Sequence, residues 1–449
     1  MNRGADDVAD TAAPRVDEGA PSSAWQALAA RHDLRWYEHP RALFSGGNRV
    51  RLLRGGDQMF PAMCEAIARA RVDVWLATYI FHHDEAARAV ADALAGAARR
   101  GVAVHVVVDG FGSLDALDAL RRWWDGSGVR LAVFRPLVSW RALLQPEHLR
   151  RLHQKLCVVD GEVGYVGGIN VIDDRHDLRH GASDEPRLDY AVEVTGPVVA
   201  PVLQTAQAVW HRASFGHEWS DQMLAIARSG APLARVRSML REVRIVAGDS
   251  VLADSPDAPM LAAFVVRDNL RQRRAIERSY IEAFRRARTR IDLVSPYFYP
   301  GRVFRRTLRD AVRRGVRVRL LLQGKVDYRI AGMAARSLYT ELLSRGVRIY
   351  EYQAAFLHAK VALVDDDWAT VGSSNIDPMS LLLNLEANVI VRDGGFTREL
   401  AGEIERALDA SREITRPGLP RGWWAVLQRG FVAWVARAYM RVAGIGGRY

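Results

Sequence analysis

Lysine is almost missing from this chain. Lysine and arginine together number 63, yet only Lys155, Lys325 and Lys360 are lysines. Arginine is the default cation here. The surviving lysines therefore mark places where a planar guanidinium fork cannot replace a compact ammonium. Cysteine is equally scarce. Cys64 and Cys157 each lie inside an apolar run, which excludes a disulfide scaffold and reads as two small core residues. No charged-then-apolar leader opens the sequence, and no uninterrupted 18-residue apolar run occurs, so no transmembrane helix is expected. The expectation is a cytosolic protein, attached at most to a membrane surface.

What is present is a long chain with enough apolar matter for a substantial core. Its 449 residues are 49% apolar, which points to two or three domains and excludes general disorder. The first 24 residues differ. They carry Asp6, Asp7, Asp10, Asp17 and Glu18 against Arg3 and Arg15, without apolar periodicity, and read as a flexible acidic tail. Since that tail holds −3 of a net charge of +11, the remainder holds +14. Such a body is drawn to polyanions, either nucleic acid or an anionic lipid surface. Composition does not choose between them.

The chain repeats its own plan. AIARAR (66–71) and AFRRAR (283–288) lead into the strand-like runs VDVWLATYIF and IDLVSPYFY. A helical pattern ending in RRGV follows each, at 99–102 and 313–316, and opens a second strand. A third strand is expected over 128–134 and again over 346–352, with a His-x-Lys motif in a fourth. Glycine at a helix end before a β-branched run is helix-stop, strand-start chemistry. Alternating strands and helices predict α/β layers with a largely parallel sheet.

The register inside the motifs is tighter still. HQKLCVVDGEVGYVGGIN and HAKVALVDDDWATVGSSN place His153, Lys155, Asp160, Gly167 and Asn170 against His358, Lys360, Asp365, Gly372 and Asn375. Side chains two apart on a strand share a face, so each half offers one imidazole and one ammonium together. Two such faces make a cationic pocket for a phosphodiester. Lysines can neutralise its non-bridging oxygens, and Asn or Ser groups can add fixed donors. Two histidines on opposite sides of phosphorus can act as nucleophile and proton donor, exchanging roles in a second step. Nothing in this chemistry calls for a metal or other cofactor.

The paired motifs resemble those of the phospholipase D superfamily, H-x-K-x4-D followed by a Gly/Ser–Asn segment. NRVRLLRGGDQMFPAM, YIFHHD, SPYFYP and LLLNLEAN look like the bacterial cardiolipin synthases, of the short type without N-terminal transmembrane helices. The resemblance runs from about residue 46 to 410. It implies an α/β fold of two pseudo-symmetric phospholipase D-like α/β/α sandwich domains sharing one active-site cleft. It implies catalytic motifs His153, Lys155, Asp160, His358, Lys360 and Asp365, with His153 the nucleophile, His358 the acid and both aspartates mainly structural. Asn170, Asn375 and Ser373 would bind substrate, and Asp189 and Glu386 would orient the histidines from behind. Gly168 stands where the second copy has Ser373, so the two sets of donors need not be equivalent. His82, His83, His148, His176 and His180 have no spacing that singles them out, and Lys325 falls at a strand end near the pocket edge.

The expected division is a tail to residue 24, a first domain over 25–220, a linker over 221–260, a second domain over 261–415 and a C-terminal segment over 416–449. In that last segment Trp424, Leu427, Phe431, Trp434, Val435 and Val442 share a helical sector, with Arg429 and Arg437 opposite. This is an amphipathic helix suited to a lipid headgroup boundary, or alternatively to the protein's own core. The functional expectation is a phosphatidyltransferase acting through a phosphohistidine on a phosphatidylglycerol-type substrate. Its partner would be an anionic membrane, at the cytoplasmic face of a bacterial inner membrane, with no nucleic acid. A phospholipase or nuclease of the same fold, and a non-catalytic membrane-binding scaffold, remain the alternatives.

Overall fold

A computed structural model of the chain describes residues 42–136, 150–178, 181–227, 260–268, 272–325, 335–336 and 338–415. The acidic tail, most of the expected linker and the C-terminal amphipathic segment lie outside the described residues.

The first half runs β1 (Ser45–Arg54), α1 (Gly55–Arg69), β2 (Asp73–Thr78), α2 (Glu85–Arg99), β3 (Ala103–Asp109), α3 (Leu117–Trp124) and β4 (Arg130–Phe134). It continues through β5 (Leu156–Val159), β6 (Val163–Gly167), a small hairpin of β7 (His176–Asp177) and β8 (Gly181–Ala182), β9 (Tyr190–Thr195) and α4 (Val199–Ala227). Helix α4 thus runs past residue 220. The second half repeats the sequence of elements. It holds β10 (Met260–Arg267), α5 (Ala275–Arg286), β11 (Arg290–Ser295), α6 (Arg302–Arg313), β12 (Arg317–Gln323), α7 (Tyr339–Leu343) and β13 (Arg348–Tyr352). Then come β14 (Val361–Val364), β15 (Trp368–Gly372), α8 (Pro378–Leu382), β16 (Glu386–Arg392), α9 (Gly394–Asp409) and β17 (Ser411–Ile414).

One 15-stranded sheet joins the halves. Outward from the β1–β10 junction the order is β9, β6, β5, β2, β3, β4 on one side. On the other it is β16, β15, β14, β11, β12, β13, with β17 added at the edge. The duplication read from sequence is therefore a pseudo-two-fold in space. The junction is short and irregular. Ser45 faces Ala262 and Asn48 faces Met260 with a register shift between them, and the Asn48 amide donates to the Ser45 and Met260 carbonyls.

The expectation of a largely parallel sheet is corrected. Only β2–β3–β4 and β11–β12–β13 pair in parallel, and every other contact in the sheet is antiparallel. Parallel pairs need helical crossovers, which α2 and α6 supply, whereas β5 and β6 are joined by a tight turn. At that turn Asp160 and Gly161 both take positive φ, 52° and 68°, within a three-residue connection closed by the Val159–Val163 pair.

Burial explains the layers. Met59, Phe60, Met63 and Ile67 of α1 and Val90, Ala91 and Leu94 of α2 pack with β2 and β3 on one face. Tyr280, Phe284, Phe304 and Leu308 do the same on the second half. The opposite faces of both halves share one core, where Val202, Leu203, Leu400 and Ile404 meet Val192, Phe264 and Val389. Helix α2 starts at Asp84, whose side chain accepts from Ala87 N at 2.9 Å, and ends at Gly101, φ +92°. Gly315, at φ +89°, ends α6 in the same way. Gly101→Ala and Gly315→Ala should each lower stability by about 1 kcal/mol in urea unfolding, because only glycine takes that φ freely. Unchanged midpoints for both would show that the helix ends are unstrained.

Candidate active site

The segments that carry the two motif histidines are zipped to the opposite half of the molecule. Leu152 bridges Leu385, with His153 N donating to Leu385 O at 3.0 Å and Leu385 N to Arg151 O at 2.9 Å. The same exchange recurs at Leu188 and Leu357, where His358 N donates to Leu188 O at 2.9 Å. The ends of β3 and β12 fix these crossings. Asp109 Oδ2 accepts from Leu152 N at 2.9 Å, and Gln323 Oε1 accepts from Leu357 N at 3.2 Å. Both motifs lie just ahead of their strands rather than inside them, since β5 begins at Leu156 and β14 at Val361.

Backbone crossing makes the side-chain pairs cross as well. His153 Nδ1 lies 3.0 Å from Glu386 Oε2, and His358 Nδ1 lies 2.6 Å from Asp189 Oδ2. Each imidazole of one half is thus held by a carboxylate of the other. A carboxylate at Nδ1 favours the tautomer with its proton there, which leaves the Nε2 lone pair free for chemistry. Glu386 is held in turn by Ser373, whose hydroxyl donates to Oε2 at 2.5 Å. At the matching place in the first half, a Cβ on Gly168 would stand 2.3 Å from Asp189 Oδ1. Glycine is required there by close approach. Ser373, expected to bind substrate, is fully buried against the Glu386 carboxylate.

Lys155 and Lys360 are 2% and 1% exposed, which is rare for lysine. Their ammonium groups donate to the carbonyls of His153 and His358. Burial, opposed by Glu386 and reinforced by the other lysine, brings Lys155 down to about 7. Burial, eased by Asp189 and Glu386, brings Lys360 down to about 8. Burial depresses His153 as well, against the pull of Glu386, and with Lys360 it takes His358 to about 3. Asp189 is held below the usual carboxylate range because Lys360 and His358 outweigh its burial. These mutual influences place both motifs in one electrostatic centre.

Asn170 and Asn375 are buried. Asn170 Oδ1 accepts from Ile80 N at 3.2 Å, and Asn375 Oδ1 has no hydrogen-bond partner among the described residues. The motif aspartates sit elsewhere. Asp160 accepts from the backbone N–H of Arg71, Val72 and Asp73, and Asp365 from those of Arg288, Thr289 and Arg290. At about 3.3 Å per residue, five residues of strand separate each aspartate from its lysine by about 16 Å. They tie down the turns that enter β2 and β11.

Aromatic residues at the strand ends divide by burial. Tyr79 packs on the His153 ring at 5.0 Å and under Lys155, with Tyr297 in the matching half-buried position. Phe81 and Phe298 are core residues. Lys325 donates to Ala354 O at 3.0 Å and lies over Phe356. His82, His83 and His176 stack together, while His148 and His180 lie outside the described residues. Asp109 and Gln323 had no signal in the sequence beyond closing equivalent strands. No group of three or more potential metal ligands occurs among the described residues. Likewise, no helix there is long and apolar enough to cross a membrane.

Two half-sites, fused across a pseudo-two-fold and each supplying histidine and lysine, define a fold and centre of the phospholipase D class. Residues 63–182 and 280–408 match the family model described as cardiolipin synthase, phospholipase D-like domain. Cardiolipin synthase B of Salmonella typhimurium is 37% identical over 382 residues, covering 84% of this chain and 85% of that protein. Cardiolipin synthase A of Pseudomonas fluorescens is 33% identical over 371 residues, covering 82% and 70%. Among solved structures, phosphatidylserine synthase of Haemophilus influenzae shares the fold with a TM-score of 0.63 at 13% identity, covering 90% and 98%. The chain belongs to the cardiolipin synthase family of phospholipase D-like proteins.

Two outcomes follow from this geometry. An anion in the centre favours the charged ammoniums, so the lysines brought down to about 7 and 8 should rise when it binds. Inorganic phosphate should then bind with proton uptake at pH 7.5, read by calorimetry in buffers of different ionisation heat, and its affinity should fall as pH rises. Proton release would contradict the buried-ammonium reading. Separately, Asp160→Ala should cost about 2 kcal/mol of stability while activity per folded molecule stays within about threefold. Loss of turnover with an unchanged melting temperature would return Asp160 to the chemistry.

Proposed function

We propose that this protein is a phosphatidyltransferase that makes cardiolipin or a related phospholipid through a phosphohistidine. The observation that carries the reading is the pair of crossed histidine–carboxylate contacts around two buried lysines. His153 Nε2 attacks phosphorus while the bond to the leaving headgroup oxygen breaks, and His358 gives that oxygen its proton. An acceptor alcohol then attacks phosphorus and gives its proton to His358 as the nitrogen–phosphorus bond breaks. Lys155, Lys360, Asn170 and Asn375 hold the phosphate oxygens, and Ser373 acts through Glu386. His358 is neutral in the empty centre, so the negative phosphodiester has to raise its basicity for the acid role.

The likeness to cardiolipin synthases supports a glycerol-type acceptor and a phosphatidylglycerol-type donor. A protein acting on such lipids would sit at an anionic membrane surface, in this reading at the cytoplasmic face of a bacterial inner membrane. Water at about 55 M competes for the phosphohistidine, whereas a held alcohol can reach effective molarities of about 10⁵ M. Tyr79 and Tyr297 are placed to shape that acceptor site. On phosphatidylglycerol vesicles, cardiolipin should exceed phosphatidic acid throughout the reaction, with His153→Ala as blank. Phosphatidic acid as the main product at every acceptor concentration would leave a hydrolase.

A further inference from the structure

The two halves of the centre place their arginines differently: Arg267, beside Glu386, has its guanidinium bound to the carbonyls of Leu382 and Asn384. Two positions before Asp189 stands Arg187, and two before Glu386 stands Asn384. Alternate residues of an extended segment share a face, so Arg187 lies on the side of the chain from which Asp189 holds His358. Its backbone is fixed by donation to Asp174 O at 2.8 Å, and its neighbour Leu188 bridges Leu357. The guanidinium donates through Nη2 to His176 O at 2.7 Å and stands 3.9 Å from Asp177, with 12% of the side chain exposed. One carbonyl and one distant carboxylate leave most of its five donors uncommitted by the contacts seen. Its charge reaches His358 and Lys360, and it is not among the main influences on His153.

That placement matches a need of the reaction. Lys155 and Lys360 already face Asp189 and Glu386, so a bound phosphodiester adds a negative charge that these four groups do not offset. An acceptor that is itself a phospholipid brings a second phosphate, three carbons from its attacking hydroxyl. Because His358 takes the acceptor's proton, this second anion arrives on the His358 side. We propose that Arg187 forms a second anion subsite there, binding the phosphate that a glycerol-type acceptor carries in its own headgroup. The proposal rests on the transferase reading above. The asymmetric cation then selects glycerol bearing a phosphate ester over free glycerol and over water.

The test uses the full chain with acyl-labelled phosphatidylglycerol vesicles and two soluble acceptors, glycerol and glycerol phosphate. The ratio of transfer to glycerol phosphate over glycerol should fall about tenfold or more in Arg187→Gln, the range of one charge-assisted hydrogen bond. Glutamine can still donate to His176 O, so the fold is kept, and Arg187→Lys should restore part of the ratio. Cardiolipin formation from the vesicles should fall in step with the glycerol phosphate arm. A fall confined to the soluble ester would overturn the subsite for lipid acceptors. An unchanged ratio, or equal loss in both arms, would overturn it altogether. Wild-type protein that releases only phosphatidic acid would remove the transferase reading, and the subsite with it.

Discussion

Two lysine ammoniums buried within reach of each other are the constraint around which this molecule is arranged. An isolated buried cation is strongly unfavourable, and two together repel. Lys155 and Lys360 are tolerated because Glu386 and Asp189 lie in the same centre and because two carbonyls accept from them. The carboxylates are occupied as well, each holding an imidazole. Even so the set is strained electrostatically, as the lowered lysine values show. A bound anion relieves that strain. The fold stores unfavourable charge where a phosphate will enter, and binding energy is released at the reacting atoms.

Symmetry supplies the frame, and departures from it supply direction. Strand order, crossings and turn-capping aspartates repeat across the β1–β10 junction. The surroundings of the two carboxylates do not. Ser373 bonds Glu386, while Gly168 leaves Asp189 without such a donor. Arg267 lies buried beside Glu386, where its guanidinium donates to the carbonyls of Leu382 and Asn384. Near Asp189 stands Asp174, raised to about 6 by burial and partly by Asp189. Two histidines that start equivalent in sequence thus end in different surroundings. That difference suits the ordered two-step transfer proposed above.

Much of this was legible before any coordinates. The scarcity of lysine singled out Lys155 and Lys360, and motif register located both halves. Glycine at 101 and 315 marked helix ends correctly because positive φ is a local demand. Pairing direction was misjudged, since strand–helix rhythm describes β2 to β4 but not the hairpins that follow. The crossing of carboxylates between halves was invisible, because linear spacing does not say which histidine a distant acid will meet. Asp109 and Arg187 escaped for the same reason: one gains meaning from Leu152 N, the other from His358, and neither neighbour is near in sequence.

Crossed pairing also bears on how the protein is made. A ribosome at about 5–20 residues per second needs about 10–40 s to travel from Glu193 in β9 to Val389 in β16. Throughout that interval the first half can fold around its own helices, yet His153 has no carboxylate, because Glu386 has not been synthesised. His358 likewise arrives only after its partner Asp189 is in place. A copy that ends before Glu386 therefore presents His153 without the carboxylate that sets its tautomer. Half-made chains hold half of the centre, and completion of the last sheet strands is what brings Glu386 to His153.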